Sequence, residues 1–117
     1  MTITRIDPGK LYALAVRHKD TLYISGLIAD TMDGSIEVQT REVLAKIDDL
    51  LVKGGTRKDK LLQVNIYLPH ITDFDAMNRV YLDWLDKDNM PARATVEARL
   101  AIPGLRVEMT AIAAVDV

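Results

Sequence analysis

Residues 61–68 read LLQVNIYL, in which Leu62, Val64, Ile66 and Leu68 alternate with Gln63, Asn65 and Tyr67. A period of two predicts a strand with one buried face and one polar face. On both sides of it the period lengthens to that of a helix. Val43, Leu44, Ile47, Leu50 and Leu51 recur along one helical face, in a segment predicted to begin after Ser35 and to stop at Gly54-Gly55. Lys53 then sits near a terminus where the macrodipole favours positive charge. After Pro69, Phe74, Met77, Tyr81, Trp84 and Leu85 repeat at helical spacing, with Thr72 and Asp75 as a capping-box-like start and an end before Asp88.

The remaining segments read as strands. Residues 12–18 and 21–25 form a hairpin around His18-Lys19-Asp20, closed by Gly26, and residues 3–6 add a short strand before it. Residues 93–100 and 105–115 flank the turn sequence Ile102-Pro103-Gly104 and predict a second hairpin. The order is β-β-α-β-α-β-β, an α+β class. Two helices cannot cover both faces of a sheet of five or six strands, so both are expected on one side. With Leu100 opposite Val107, the last hairpin places Ala92, Ala94, Val96, Ala98 and Leu100 beneath the helices, together with Val107, Met109, Ala111 and Ala113. Arg93, Thr95, Glu97 and Arg99 then share the opposite face with Arg106, Glu108, Thr110 and Ile112. That mixture of charged, small and apolar groups suits either a solvated face or an inter-subunit surface with a polar pocket.

A length of 117 residues is one domain's worth, spanning 1–117, with no linker or repeat to divide it. Such a chain buries roughly 65% of its unfolded surface, which leaves little area for an internal cleft and favours a site shared between subunits. The absence of cysteine excludes thiolate chemistry, and two histidines far apart in sequence argue against a metal site. A reducing cytoplasm is the expected compartment, because MTITRIDPGK lacks the apolar stretch of a signal peptide and no apolar run is long enough to span a bilayer. A net charge of −2 and 5% aromatic residues argue against a nucleic-acid partner.

Arg93, at the head of its strand after Pro91-Ala92, offers the planar fork that grips a carboxylate through two parallel hydrogen bonds; the plainer reading is a surface arginine. Glu108, between Val107 and Met109, is placed to orient or deprotonate a water if burial raises its pKa; the plainer reading is a cross-strand ion pair with Arg99. In the predicted hairpin Arg93 and Glu108 lie roughly 20 Å apart, so one ligand touches both only if two subunits build the site. Tyr12 and Asn78 are weaker candidates, with packing and a polar helix edge as their alternatives. Ser25-Gly26 ends a strand where a backbone amide can face a ligand, although turn chemistry also accounts for Gly26. Neither His18 nor His70 has a triad partner. Lys53, Arg57, Lys58 and Lys60 are interrupted by Asp59 and suit a helix end as well as a phosphate. No Walker loop, GxGxxG or metal motif is present.

The stretch PARATVEARL, followed after a turn by LRVEMTAIAAV, closely resembles the C-terminal signature of the reactive-intermediate deaminase family, RidA, also called YjgF and often described as endoribonuclease L-PSP. TLYISGLI resembles its second strand, and DFDAMNRVYLDWL and the helix after EVQT resemble its two helices. The opening TITRID with EVQT and DFDAMN is most similar to the YoaB-like branch. The resemblance implies a chorismate-mutase-like fold with a mixed sheet and a homotrimer with three inter-subunit clefts. It further implies hydrolysis of enamines and imines, of the 2-aminoacrylate and 2-iminopropanoate type, to 2-oxo acids and ammonia, with no cofactor. Arg93 would bind the substrate carboxylate, Glu108 would position or activate water, and Tyr12, Ser25, Gly26, Asn78 and Thr95 would line the pocket. Members usually show Gly-Pro-Tyr-Ser-Gln where this chain has Lys10-Leu11-Tyr12-Ala13-Leu14, and glutamine where it has Leu27, differences expected to make the pocket more apolar or differently shaped. A non-catalytic module of the same fold that binds small carboxylates, and an endoribonuclease, are the alternatives.

Overall fold

The structure, a computed structural model, describes residues 2–116; Met1 and Val117, the ends of the expected 1–117 domain, lie outside the described residues. Six strands and two helices follow one another as β1 (Ile3–Pro8), β2 (Ala13–His18), β3 (Thr21–Ile28), α1 (Ile36–Lys53), β4 (Leu61–Leu68), α2 (Phe74–Trp84), β5 (Ala92–Glu97) and β6 (Glu108–Ala114). The sheet runs β1-β2-β3-β6-β4-β5, with β4 and β5 parallel and every other pair antiparallel. The expected mixed sheet under two helices is present, and residues 3–6 do contribute a strand, extended to Pro8.

Helix α1 begins where its cap chemistry dictates: the Ser35 Oγ accepts from the Val38 N–H at 3.1 Å. It ends in a left-handed turn at Gly55, φ +79°, where the Thr56 N–H reaches the Leu51 carbonyl and the Gly55 N–H that of Val52. Val43, Leu44, Ile47, Leu50 and Leu51 are all buried, as the periodicity predicts. The start of α2 differs from expectation. Residues Ile71–Asp73 form a 3-10 turn, no side chain caps the helix, and the Asp73 carboxylate is taken by Arg106 instead. The core joins both helices to alternate residues of the central strands, among them Leu22, Ile24, Val64, Ile66, Val107, Met109 and Ala111. A molecular thickness of 19 Å corresponds to one sheet and one helix layer, so the other face of the sheet is bare.

The second hairpin is not formed. Strand β6 lies between β3 and β4, while β5 lies on the far side of β4 at the sheet edge. Two demands separate them. Parallel pairing of β5 with β4 needs a long crossover, which α2 supplies, and β6, buried at Met109, Ala111 and Ala113 with Val107 just before it, takes a central place with hydrogen-bond partners on both edges. The face assigned to β5 is therefore also reversed. Arg93 is in register with Val64 and Thr95 with Ile66, both core residues, so Arg93 and Thr95 point to the helix side. Ala92, Ala94 and Val96 turn to the bare face, beside Gln63, Asn65 and Tyr67. The orientation expected for β6 is observed, with Glu108, Thr110 and Ile112 opposite the core.

Candidate functional site

The candidate residues gather into two clusters, one on each side of the sheet. On the bare side, Tyr12, Ser25, Gly26 and Glu108 surround a cavity of about 540 Å³, walled elsewhere by Leu11, Ile28, Ala101, Ile102 and Leu105. A bulge shapes it. Ile24 pairs with Ala111 and Leu27 with Met109, so β3 spends three residues where β6 spends two, and Ser25-Gly26 bow out of the ladder. The Ser25 Oγ donates to the Ala13 carbonyl at 2.6 Å and ties the bulge to β2. Gly26 makes room for the acid: a Cβ there would stand 2.2 Å from the Glu108 Oε2. The ion pair of Glu108 with Arg99 is not formed, because β4 and β3 flank Glu108 at Tyr67 and Ile28. Among the described residues Glu108 has no salt bridge, which leaves its carboxylate facing the cavity.

Leu27 does not line this cavity. It is 3% exposed and belongs to the core, and the apolar walls of the cavity are Leu11, Ile28 and residues of the 101–105 loop.

On the helix side, Arg93 Nη1 donates to the Asn78 Oδ1 at 2.7 Å. Its guanidinium carbon lies 5.1 Å from the Tyr81 ring centre and 5.7 Å from that of Phe74. Arg93 is thus a braced group rather than a loose surface arginine. Burial pushes the Tyr81 phenol up, with the Arg93 cation offsetting part of that rise. Thr95, two residues along the same face, has a buried hydroxyl with no hydrogen-bond partner, an uncommon state for a core hydroxyl. A cation with free donors and an unpaired hydroxyl side by side suit a carboxylate or another planar anion.

These clusters do not meet within one chain. Arg93 aligns through Val64 with Ala111, and Glu108 lies three residues further along β6. Two strand spacings and three residues separate their backbones by roughly 14 Å, and their side chains leave opposite faces. The distance differs from the hairpin value, and the sheet itself is between them, so one ligand touches both only if two copies build the site.

Two supporting residues escaped the sequence reading. Gln39 is fully buried on α1 and makes three bonds: its Nε2 donates to the carbonyls of Gly34 (3.1 Å) and Gly104 (2.8 Å), and its Oε1 accepts from the Arg106 N–H (2.8 Å). Arg106 in turn forks onto Asp73, at 2.7 and 3.1 Å. Together they pin the 101–106 loop, one wall of the cavity, to both helices. The available signal was an amide in phase with the buried stripe of α1, four residues before Val43. Among the described residues no cluster of potential metal ligands occurs, and no helix is long and apolar enough to cross a membrane.

Fold and clusters together define a class, a two-layer α+β protein with one mixed sheet and charged groups of opposite sign on its two faces. The endoribonuclease L-PSP family model matches residues 2–115, and the chain belongs to that family, the RidA/YjgF family. It is 38% identical over 115 residues to the RutC family protein YoaB of Escherichia coli K12, covering 98% of this chain and 100% of the relative. A RutC family protein of Haemophilus influenzae is 38% identical over 114 residues, covering 97% and 98%. Among solved structures, a YjgF family member from Neisseria meningitidis superposes with a TM-score of 0.96 at 35% identity, covering 100% of this chain and 98% of that one. A member of the Rid protein family from Yersinia pestis gives 0.91 at 32% identity, covering 97% and 100%.

Proposed function

We propose that the protein hydrolyses reactive enamine and imine intermediates of the 2-aminoacrylate type to 2-oxo acids and ammonia, in clefts where the Arg93 cluster of one copy meets the Glu108 cavity of the next. The observation that carries this reading is the placement of a braced guanidinium and an unpaired carboxylate on opposite faces of one sheet, each with half the chemistry an imino acid requires. Three copies around a closed ring pair every half with its complement and cover the bare face, which carries Tyr23, Val96 and Ile112 among polar side chains.

The chemistry needs little more. 2-Aminoacrylate takes a proton at its methylene carbon and becomes the 2-iminopropanoate iminium, which is already electrophilic. Arg93 grips the carboxylate, with Thr95 and Asn78 beside it, and fixes the plane of the C=N bond. Glu108 accepts a proton as a water oxygen bonds to the imine carbon and returns it to the nitrogen of the resulting carbinolamine; as the C–N bond breaks and C=O forms, the hydroxyl proton passes to the departing ammonia. Pyruvate and ammonium result, with atoms and charge balanced. No cofactor enters the reaction.

The test couples an amino-acid oxidase, as a source of fresh imino acids, to semicarbazide trapping. Wild type is expected to abolish trapped imine and Arg93→Ala to leave it. No effect of either protein across several imino acids would instead support the carboxylate-binding module. RNA cleavage that requires Arg93 and Glu108 would support the endoribonuclease.

A further inference from the structure

One stripe of α2 surrounds the Arg93 guanidinium. Phe74, Asn78 and Tyr81 stand at positions i, i+4 and i+7, a spacing that places them on a single helix face. Asn78 receives one N–H, while the two rings lie against the cation at 5.1 and 5.7 Å. Those contacts divide the guanidinium usefully. Of its five N–H donors only one, bonded to Asn78, has a hydrogen-bond partner among the described residues, so the rings hold the group while other donors stay free for a planar ligand. Tyr81 is the firmer support. It is 3% exposed, its ring packs at 44° against Trp84 with centres 6.0 Å apart, and the raised phenol keeps the ring neutral, so it acts through its face and not as a counter-ion. Trp84 is itself fixed, its Nε1 donating to Asp48 at 2.9 Å. The brace therefore runs from α1 through Trp84 and Tyr81 to the arginine.

We propose that Tyr81, with Phe74 beside it, is a positioning residue that sets the orientation of the Arg93 guanidinium and thereby the affinity of the site for a planar carboxylate. The proposal deepens the reading of Arg93 as carboxylate anchor and rests on it. Periodicity alone assigns Phe74 and Tyr81 to an apolar stripe; the added role comes from what lies opposite them.

Pyruvate binding to the full-length protein, followed by NMR titration into the millimolar range, tests it in wild type, Tyr81→Phe, Tyr81→Leu and Arg93→Ala. Tyr81→Leu is expected to weaken binding roughly tenfold, the size of a partly desolvated cation–π contact. Tyr81→Phe, which keeps the ring, is expected to stay near wild type. In turnover the Leu variant is expected to raise KM more than it lowers kcat, a split that general loosening of the fold does not produce. Equal losses in the Phe and Leu variants, or wild-type affinity in the Leu variant while Arg93→Ala loses binding, would overturn the positioning role alone. Undiminished binding in Arg93→Ala would overturn the anchor reading and the positioning role with it. Should Tyr81→Leu fail to fold, Phe74→Leu at the more open ring carries the same test, with a loss of about threefold expected and wild-type affinity counting against the proposal.

Discussion

The Arg93 and Glu108 clusters are built in opposite ways. Arg93 stands on an edge strand, where one side of the backbone lacks a neighbour, and its rigidity is borrowed from a helix through aromatic faces and one amide. Glu108 opens one of the two central strands, flanked on both sides, and its freedom is made by subtraction: a bulge and a glycine clear the space its carboxylate occupies. A long cation at an edge needs bracing, whereas a short carboxylate in a packed ladder needs room. The difference also teaches why neither cluster makes a site alone. In a slab 19 Å thick the sheet itself stands between the two clusters, so one ligand can touch both only where two copies associate.

The largest expected effects break one half at a time. Arg93→Lys keeps the charge and loses the fork, and with Glu108→Ala it is expected to lower kcat/KM by roughly a hundredfold or more in the imine assay. When Arg93→Ala and Glu108→Ala proteins are dissociated, mixed equally and reassembled, about a quarter of the clefts regain both intact halves, and activity returns in proportion. Absence of any recovery, with reassembly verified by sizing, would refute a site shared between copies.

The next effect is on stability. Gln39→Leu takes their side-chain partner from the Arg106 N–H and the Gly34 carbonyl, while the Gly104 carbonyl keeps the Asp33 N–H, and urea unfolding is expected to show a loss of about 2–3 kcal/mol. Because Gln39 anchors the cavity wall and not the Arg93 brace, pyruvate affinity is expected to fall less than the stability does.

Gly26→Ala sharpens the contrast within the site. The new Cβ displaces only the tip of a flexible carboxylate, so thermal stability should change little while kcat drops roughly tenfold and KM holds. Asn78→Ala, which releases Arg93, is expected to do the reverse and raise KM. Steady-state kinetics of the two variants side by side decides whether orientation of water and capture of carboxylate are separable.

The smallest effect concerns Glu42, which accepts from the Thr31 hydroxyl and from the N–H groups of Thr31 and Asp30, each at 2.9 Å, and is thereby held below the usual carboxylate range. A lowered folded pKa stabilises above the unfolded value and loses that contribution as pH falls through the folded one. Amide exchange at Asp30 and Thr31 is therefore expected to quicken, relative to the helix-side cluster, as pH drops from 5 toward 3. An unchanged ratio would show that the bond does not hold the loop.

What could be read from residue order was what repeats locally. The stripe of α1, the alternation of β6 and of β4 from Val64 to Leu68, the Ser35 cap and the stop at Gly54-Gly55 each follow from contacts a few residues long, and so did the class of the fold; Leu62, expected on the buried face, is exposed, because the register shift between Leu61 and Gln63 turns Leu61 inward in its place. The motif around Arg93 and Glu108 pointed to both charged groups because their chemistry is carried by residue type. Strand partners were not legible. Alternation in β5 is the same whichever face is inward, since small alanines and short polar groups fit either, and only pairing with Val64 and Ile66 turned Arg93 toward α2. Nor did the turn sequence 102–104 report that a third strand, β4, slips between its neighbours. Residue order thus determined the elements, their buried stripes and the chemical groups on offer. The tertiary structure decided which face each group leaves by and what stands beside it, because register and strand order are settled by residues far apart in the chain competing for the same hydrogen bonds and the same core.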